Sequence, residues 1–125
     1  YLDDGTEPCA DAARHLEEEL RALGVRVFRR GCDVRQPDQV RRFVADALDD
    51  LGGLHILVNN AGIARDRALW RMGDEQWRSV VQTNLSGTFY SIREVAPVFR
   101  AQEYGKVVNV ASIHGVRSEF GLANY

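Results

Sequence analysis

The sequence predicts an α/β fold in which a parallel sheet carries helices on both faces. Two mostly apolar runs, 54–58 and 107–111, are bounded by turn residues and have the length of buried strands. Before and between these runs, apolar residues recur at the spacing of amphipathic helices. Because strand and helix alternate along the chain, the strands should run parallel and end at one edge of the sheet.

The first element is predicted to be a helix, with Thr6 as its N-cap, Pro8 in its first turn and Gly24 as its stop signal. Its apolar stripe consists of Cys9, Ala13, Leu16, Leu20 and Leu23. Residues 25–28 then favour a strand, whose continuation reaches residues 32–34.

The second helix is predicted to begin at Pro37 and to end before Gly52 and Gly53. Its apolar stripe consists of Val40, Phe43, Val44, Ala47, Leu48 and Leu51. After a loop at 63–73, a long third helix should begin at Asp74 and reach about Gln102, with Pro97 kinking it or beginning its end. The stripe of this helix consists of Trp77, Val80, Val81, Leu85, Thr88, Ile92, Val95 and Phe99.

Polar residues follow both apolar runs, so they should meet at the same edge of the sheet. The Asn-Asn-Ala-Gly segment at 59–62 ends the first strand, and Ser112 follows the second. Asn84 falls on the apolar stripe of the third helix, where a buried amide needs hydrogen-bond partners. Tyr125 comes thirteen positions after Ser112. These side chains are therefore the candidate site.

In this order and spacing, Asn59-Asn60-Ala61-Gly62, Asn84, Ser112 and Tyr125, with Asp33-Val34 upstream, resemble the short-chain dehydrogenase/reductase family. Residues 63–66, 71–72, 74–77 and 121–125 look most like the 3-oxoacyl-(acyl carrier protein) and acetoacetyl-CoA reductases. The resemblance implies a doubly wound, Rossmann-like parallel sheet, of which residues 1–125 form a partial dinucleotide-binding and catalytic domain.

The same resemblance implies that the sheet is incomplete, lacking its first strands and its C-terminal part. In the spatial order of the sheet, two strands that are not part of residues 1–125 would separate the strand at 25 from the strand at 54. A glycine-rich phosphate loop is expected before residue 1, and a catalytic Lys four positions after Tyr125. We therefore expect residues 1–125 alone to be inactive and not to fold cooperatively.

For catalysis, the resemblance makes Tyr125 the acid/base that delivers a proton to a ketone oxygen, with a neighbouring cation favouring the phenolate. Ser112 would donate a hydrogen bond to the same oxygen. Asn84 would hold a water and a backbone carbonyl in a proton relay. The structural alternatives are a half-buried Tyr at a helix start, a turn or cap Ser, and an amide satisfied by a neighbouring helix.

For the cofactor, the resemblance assigns the Asp33 carboxylate to the adenine amino group and the Val34 backbone to the same pocket. Asn59, Asn60, Ala61 and Gly62 would line the ribose and nicotinamide side, where glycine permits close approach. A helix-capping Asp and a tight Asn-Asn-Ala-Gly turn are the alternatives. Tyr1 stands where the acidic residue that favours NAD would lie, but Leu2 supplies no positive charge for the 2′-phosphate of NADP. NADP is preferred over NAD from the resemblance alone.

Composition narrows the functional class further. The net charge is −2 and both signs are interspersed, which argues against nucleic-acid binding. No apolar stretch approaches the length of a membrane span, so we expect a soluble, cytoplasmic protein without membrane contact. The two cysteines lack metal-ligand spacing, which indicates no metal site and favours buried, reduced thiols.

The sequence therefore suggests an NAD(P)H-dependent reductase of a ketone, with a small-molecule or carrier-bound 3-oxoacyl thioester as substrate. A dehydrogenase of a sugar, polyol or small alcohol is the second reading. A cofactor-binding remnant or interaction protein without turnover is the third. The resemblance also implies a homotetramer. Arg65, Arg67 and Arg71 form a basic cluster that would meet a phosphopantetheine carrier or simply be a solvated face, and the loop residue His114 is assigned no catalytic role.

Overall fold

The computed structural model describes the backbone of residues 7–125 and the side chains of residues 10–125. Its helices are α1 (Glu7–Ala22), α2 (Pro37–Leu51), α3 (Asp74–Val81), a π-helix (Gln82–Ser86) and α4 (Gly87–Ala101). Its strands are β1 (Ile56–Asn59) and β2 (Lys106–Asn109). Two short 3₁₀ helices cover Leu69–Arg71 and Ile113–Gly115. Two parallel strands are joined by a helical crossover and preceded by two helices, which confirms the predicted α/β class.

The helix ends follow the expected local chemistry. Pro37 is the first residue of α2, and Gly52 ends that helix with a positive φ of 80° while its N–H donates to the Leu48 carbonyl. α3 begins after Gly73, whose N–H donates to the Gln76 side chain at 3.1 Å. α4 continues through Pro97 for one further turn and ends at Ala101. The predicted capping residue Thr6 lies outside the described residues.

β1 and β2 pair in parallel, with Ile56 opposite Lys106 and Asn59 opposite Asn109. The crossover between them contains α3, the π-helix and α4. α4 packs against both β1 and α2. The core lies between these elements and includes Val40 and Ala47 of α2, Val80 of α3 and Val95 of α4, all of them buried.

Two predictions about the elements are wrong in detail. Residues 25–34 form no strand, because no described strand lies beside them to supply ladder hydrogen bonds. The segment is held instead by the Phe28 ring against Phe43 of α2 and by an ion pair between Arg30 and Asp46. The third helix is not one continuous α-helix, because five residues around Asn84 are wound as a π-helix.

Several residues placed on predicted apolar stripes are exposed, including Leu16, Leu23, Trp77 and Leu85. Cys32 is a buried free thiol as predicted, and burial raises its pKa. The Cys9 side chain lies outside the described residues. Across residues 7–125, no helix combines the length and apolarity that spanning a bilayer requires.

Candidate active site

The two strands end side by side in a polar edge. The Asn59 side chain donates to the Asn109 side-chain oxygen at 2.8 Å, and the Val110 N–H donates to the Asn59 carbonyl at 2.9 Å. Because the register places these two asparagines opposite each other, the amide bridge closes the end of the ladder. It fixes the point at which residues 60–62 leave the sheet.

Asn84 holds the turn that follows β1. Its Oδ1 accepts the Ile63 N–H at 2.9 Å, and its Nδ2 donates to the Ile63 carbonyl at 3.0 Å. Both functional groups of the amide are therefore engaged by one backbone residue. A Cβ added at the neighbouring Gly62 would lie 3.7 Å from Asn84 Oδ1, so the backbone of this turn runs close to the amide.

The π-helix explains how Asn84 reaches the turn. The Thr88 hydroxyl donates to the Asn84 carbonyl at 3.0 Å, and the Gly87 N–H donates to the Gln82 carbonyl. The extra residue in this turn rotates the helix locally, and such bulges are frequent at functional sites. The preceding Thr83 is only 1% exposed, and within the described residues its hydroxyl has no hydrogen-bond partner.

Asp33 lies on the segment before α2, held in a fixed orientation. Arg35 binds the Asp33 carboxylate through two kinds of donor. Its side-chain Nη2 donates to Oδ2 at 2.7 Å, and its backbone N–H donates to Oδ1 at 2.9 Å. These hydrogen bonds hold the pKa of Asp33 below its usual range. Val34 packs on Gly87, where an added Cβ would lie 2.8 Å from Val34 Cγ2. Residues 33–34 are thereby tied to the start of α4.

A cavity of about 580 Å³ lies between the 28–34 segment, α2, β1 and the start of α4. One part is apolar, and its lining includes Phe28, Phe43, Leu57 and Val95. The other part is polar and is lined by Val34, residues 59–62, Thr83 and Gly87. The unpartnered Thr83 hydroxyl, the side chains of Asn59 and Asn60 and the backbone at Gly62 are donors and acceptors of the kind a dinucleotide needs. These residues fit an NAD(P) cofactor.

Ser112 and Tyr125 are linked through His114. The Ser112 Oγ accepts the His114 N–H at 3.2 Å and caps the 3₁₀ helix. The His114 ring stands edge-on to the Tyr125 ring, with the ring centroids 6.5 Å apart. His114 Nδ1 also lies 3.3 Å from a Glu119 carboxylate oxygen. Since Ser112 uses a lone pair in its cap, its own hydrogen stays available for donation.

The backbone before Tyr125 is anchored to the loop after β1. The buried Asn124 side chain donates to the carbonyls of Arg65 and Gln76, each at 3.1 Å. Gly121, with a φ of 92°, accepts the Arg67 N–H at 2.9 Å. Tyr125 is 42% exposed and lines a second cavity of about 290 Å³ together with Ala64, Asp66 and His114.

The structure thus divides most of the predicted residues into two groups. Val34, Asn59, Asn60, Ala61 and Gly62 line the larger cavity, and Asn84 clamps their turn. Tyr125 lines the smaller cavity instead, while Asp33, Asn84 and Ser112 line neither. Tyr1 and Leu2, used to weigh the cofactors, lie outside the described residues.

Sequence reasoning missed Thr83, Arg35, Asn109, Asn124 and the contact of His114 with Tyr125. The signal for Asn109 was present, because β1 and β2 each end in Asn at the same register position. Thr83 offered a weaker signal, as the neighbour of a helical Asn on an apolar stripe.

Comparison with known proteins identifies the family of the chain. The pattern of the short chain dehydrogenase family matches residues 4–125. A 3-oxoacyl-(acyl-carrier-protein) reductase FabG of Staphylococcus epidermidis is 37% identical over 115 residues, covering 92% of this chain and 47% of that protein. The corresponding Staphylococcus aureus reductase is 36% identical over the same shares. Nodulation protein G of Azospirillum brasilense is 38% identical over 107 residues, or 86% of this chain and 44% of that protein.

The chain spans about half the length of the curated relatives it matches. The family pattern, in contrast, extends over nearly all of its residues, including every candidate site position from Asp33 to Tyr125. The chain belongs to the short-chain dehydrogenase/reductase family.

Proposed function

We propose that the natural full-length protein is an NAD(P)H-dependent oxidoreductase that reduces the ketone of a 3-oxoacyl thioester. The observation that carries this proposal is the pair of hydrogen bonds between Asn84 and Ile63, which fixes the turn after β1 beside the polar cavity. The similarity to 3-oxoacyl-(acyl-carrier-protein) reductases supports the choice of substrate.

The cofactor would lie along the polar part of the larger cavity. Asp33, oriented by Arg35, would accept a hydrogen bond from the adenine amino group, and Val34 would contribute its backbone. Residues 59–62 would contact the ribose and the nicotinamide side. When bound, the nicotinamide supplies the hydride. We propose NADP as the preferred form, from the resemblance alone.

Tyr125 would deliver the proton to the ketone oxygen, and Ser112 would donate a hydrogen bond to the same atom. The Ser112 cap orients its hydroxyl, since the His114 N–H already occupies one oxygen lone pair. The Asn124 and Gly121 anchors hold the segment that leads to Tyr125. The chain's own residues therefore bind the ketone and supply its proton.

Asn84 would have two roles in the reaction: it would hold the turn after β1 in place, and it would take part in a proton relay. Its amide retains one free hydrogen and one free lone pair after bonding Ile63, enough to hold a water. Its first role is to keep the turn at 60–63 open toward the cavity. A relay through that water toward a lysine is the part of the proposal that depends on the family resemblance.

Self-association is proposed through the helix pair α3 and α4. Trp77, Leu85 and Phe89 of this region are exposed, and an apolar helix face of this kind suits a subunit contact. A homotetramer is the expected state of the full-length protein, and analytical ultracentrifugation would measure it.

The proposal is tested by NADPH oxidation with the full-length protein. We expect turnover with acetoacetyl-CoA and no comparable rate with a panel of sugars, polyols and small alcohols. Turnover with members of the panel and none with the thioester would favour the second substrate class. Cofactor binding without turnover of any substrate would favour a non-catalytic protein.

A further inference from the structure

Two aromatic side chains pair on the outside of the molecule beside the smaller cavity. Trp70, in the Leu69–Arg71 3₁₀ helix, is 76% exposed, and Phe120 is 77% exposed. Their ring centroids lie 6.0 Å apart. Leu69 is also exposed. We call Arg67, Leu69, Trp70, Arg71 and Phe120 the Trp70 surface; exposed aromatic pairs of this kind often mark binding sites.

The Trp70 surface is positively charged although the chain is not. Residues 63–72 contain three arginines and one aspartate, whereas the whole chain has a net charge of −2. Among residues 10–125, Arg65, Arg67 and Arg71 take part in no ion pair, unlike most arginines of α1 and α2. The nearby carboxylate of Glu119 faces His114. The unpaired guanidinium groups therefore remain available to an acidic partner.

This surface is continuous with the cavity that contains Tyr125. Phe120 contacts Trp70 on one side and lines the cavity on the other. The two loops are joined by the hydrogen bond from the Arg67 N–H to the Gly121 carbonyl, and Asn124 fixes the Arg65 carbonyl. Because backbone bonds hold it in place, the surface is formed before any partner arrives.

We propose that the Trp70 surface docks an acidic carrier protein, whose thioester-bearing arm then passes Phe120 to reach Tyr125. This inference rests on the proposed function and adds the location of its protein partner. Trp70 and Phe120 would bury against the carrier, while Arg67 and Arg71 would face its carboxylates. An apolar centre with a basic rim fits a partner of that charge, and long-range attraction would raise the association rate.

The test uses the full-length protein and two substrates with the same 3-oxoacyl group, one attached to acyl carrier protein and the other to N-acetylcysteamine. The variant is Arg67→Glu with Arg71→Glu, and the control is Arg26→Glu, an exposed arginine on the segment before α2. We expect the double variant to raise KM for the carrier substrate by about tenfold or more, since two rim charges are reversed. Its kinetics with the small thioester should match those of the wild type, and the control should change neither substrate.

Equal kinetics of wild type and double variant with the carrier substrate would overturn the docking proposal. So would an equal loss with both substrates, because the arginines would then support the fold or the chemistry. Trp70→Ala provides an independent arm, with the same selective rise in KM expected. If Trp70→Ala instead unfolds the protein, the side chain is covered by another part of the protein and the proposal fails. Absence of wild-type turnover with either thioester contradicts the proposed function itself.

Discussion

At the residue scale, Asn84 connects the fold to the chemistry. Asn84→Ala removes both hydrogen bonds to Ile63 and leaves its half-buried N–H and carbonyl without partners. We expect the free energy of unfolding of the full-length protein to fall by about 1–3 kcal/mol. Affinity for NADPH should fall as well, because the turn at 60–63 loses its clamp. Chemical denaturation and fluorescence titration with NADPH measure the two effects.

The matched control is Gln82→Ala, in the same π-helix but with an exposed side chain. It should leave stability and NADPH affinity close to those of the wild type. If Asn84→Ala behaves like the control, Asn84 does not hold the turn.

A second prediction at this scale concerns pH. Arg35 keeps the pKa of Asp33 below its usual value of about 3.9, so the pair stabilises the fold above that value and ceases to do so as pH falls through the lowered folded-state pKa. Arg35→Gln should therefore cost under about 1 kcal/mol at pH 6, since the pair is partly exposed, and progressively less as pH falls through the lowered pKa of Asp33. Urea unfolding across this range, with Arg26→Gln as control, measures the difference. A cost that is independent of pH would mean that Arg35 acts by packing.

The sequence identifies some of these residues better than others. An amide on an apolar stripe is conspicuous, and Asn84 was found for that reason. Arg35, Thr83 and Asn124 gave little signal, because their importance comes from partners that only the folded chain supplies. Ser112 is the capping residue that its position after a strand suggests, and its proposed catalytic role remains a prediction.

At the element scale, the junction of the π-helix and α4 depends on glycine. Gly87→Ala would place a Cβ 2.8 Å from Val34 Cγ2 and 3.3 Å from the Val34 carbonyl oxygen. At an exposed position inside a helix, replacing Gly by Ala would stabilise the fold by up to about 1 kcal/mol. Here we expect a loss of about 1–3 kcal/mol, because the contact cannot form without a shift of the 33–34 segment.

Thermal unfolding of the full-length protein checks this prediction. Gly115→Ala is the control, since a Cβ there meets nothing within 4 Å. Val34→Ala combined with Gly87→Ala should recover part of the lost stability, which a double-mutant cycle would reveal. A gain in stability from Gly87→Ala alone would show that residues 33–34 are not packed as described.

Elements with strong local signals were predicted closely. α2 has Pro37 at its start and Gly52 at its end, and both boundaries agree with the structure. The prediction of a strand within residues 25–34 is wrong because a strand needs a neighbouring strand for its hydrogen bonds, and no described strand pairs with this segment. The π-helix could not be foreseen, since its winding is set by Thr88 and by the contact of Asn84 with a distant loop.

At the scale of the whole molecule, the described chain combines a small parallel sheet with apolar surfaces that face open space. Ile56, Val58, Val107 and Val108 of the two strands are all exposed. The cavity between β1 and the 28–34 segment adds more apolar surface. The family and the α/β class followed from motif order and from alternation, but the relation of the two cavities required the folded structure.

The claim on which the account depends is that Tyr125 supplies the proton to a ketone oxygen. The most direct measurement compares wild type and Tyr125→Phe of the full-length protein in NADPH oxidation with acetoacetyl-CoA, alongside NADPH binding. We predict a loss of kcat by about 10²-fold or more, with NADPH affinity unchanged. A Tyr125→Phe enzyme that retains the wild-type kcat would contradict the account.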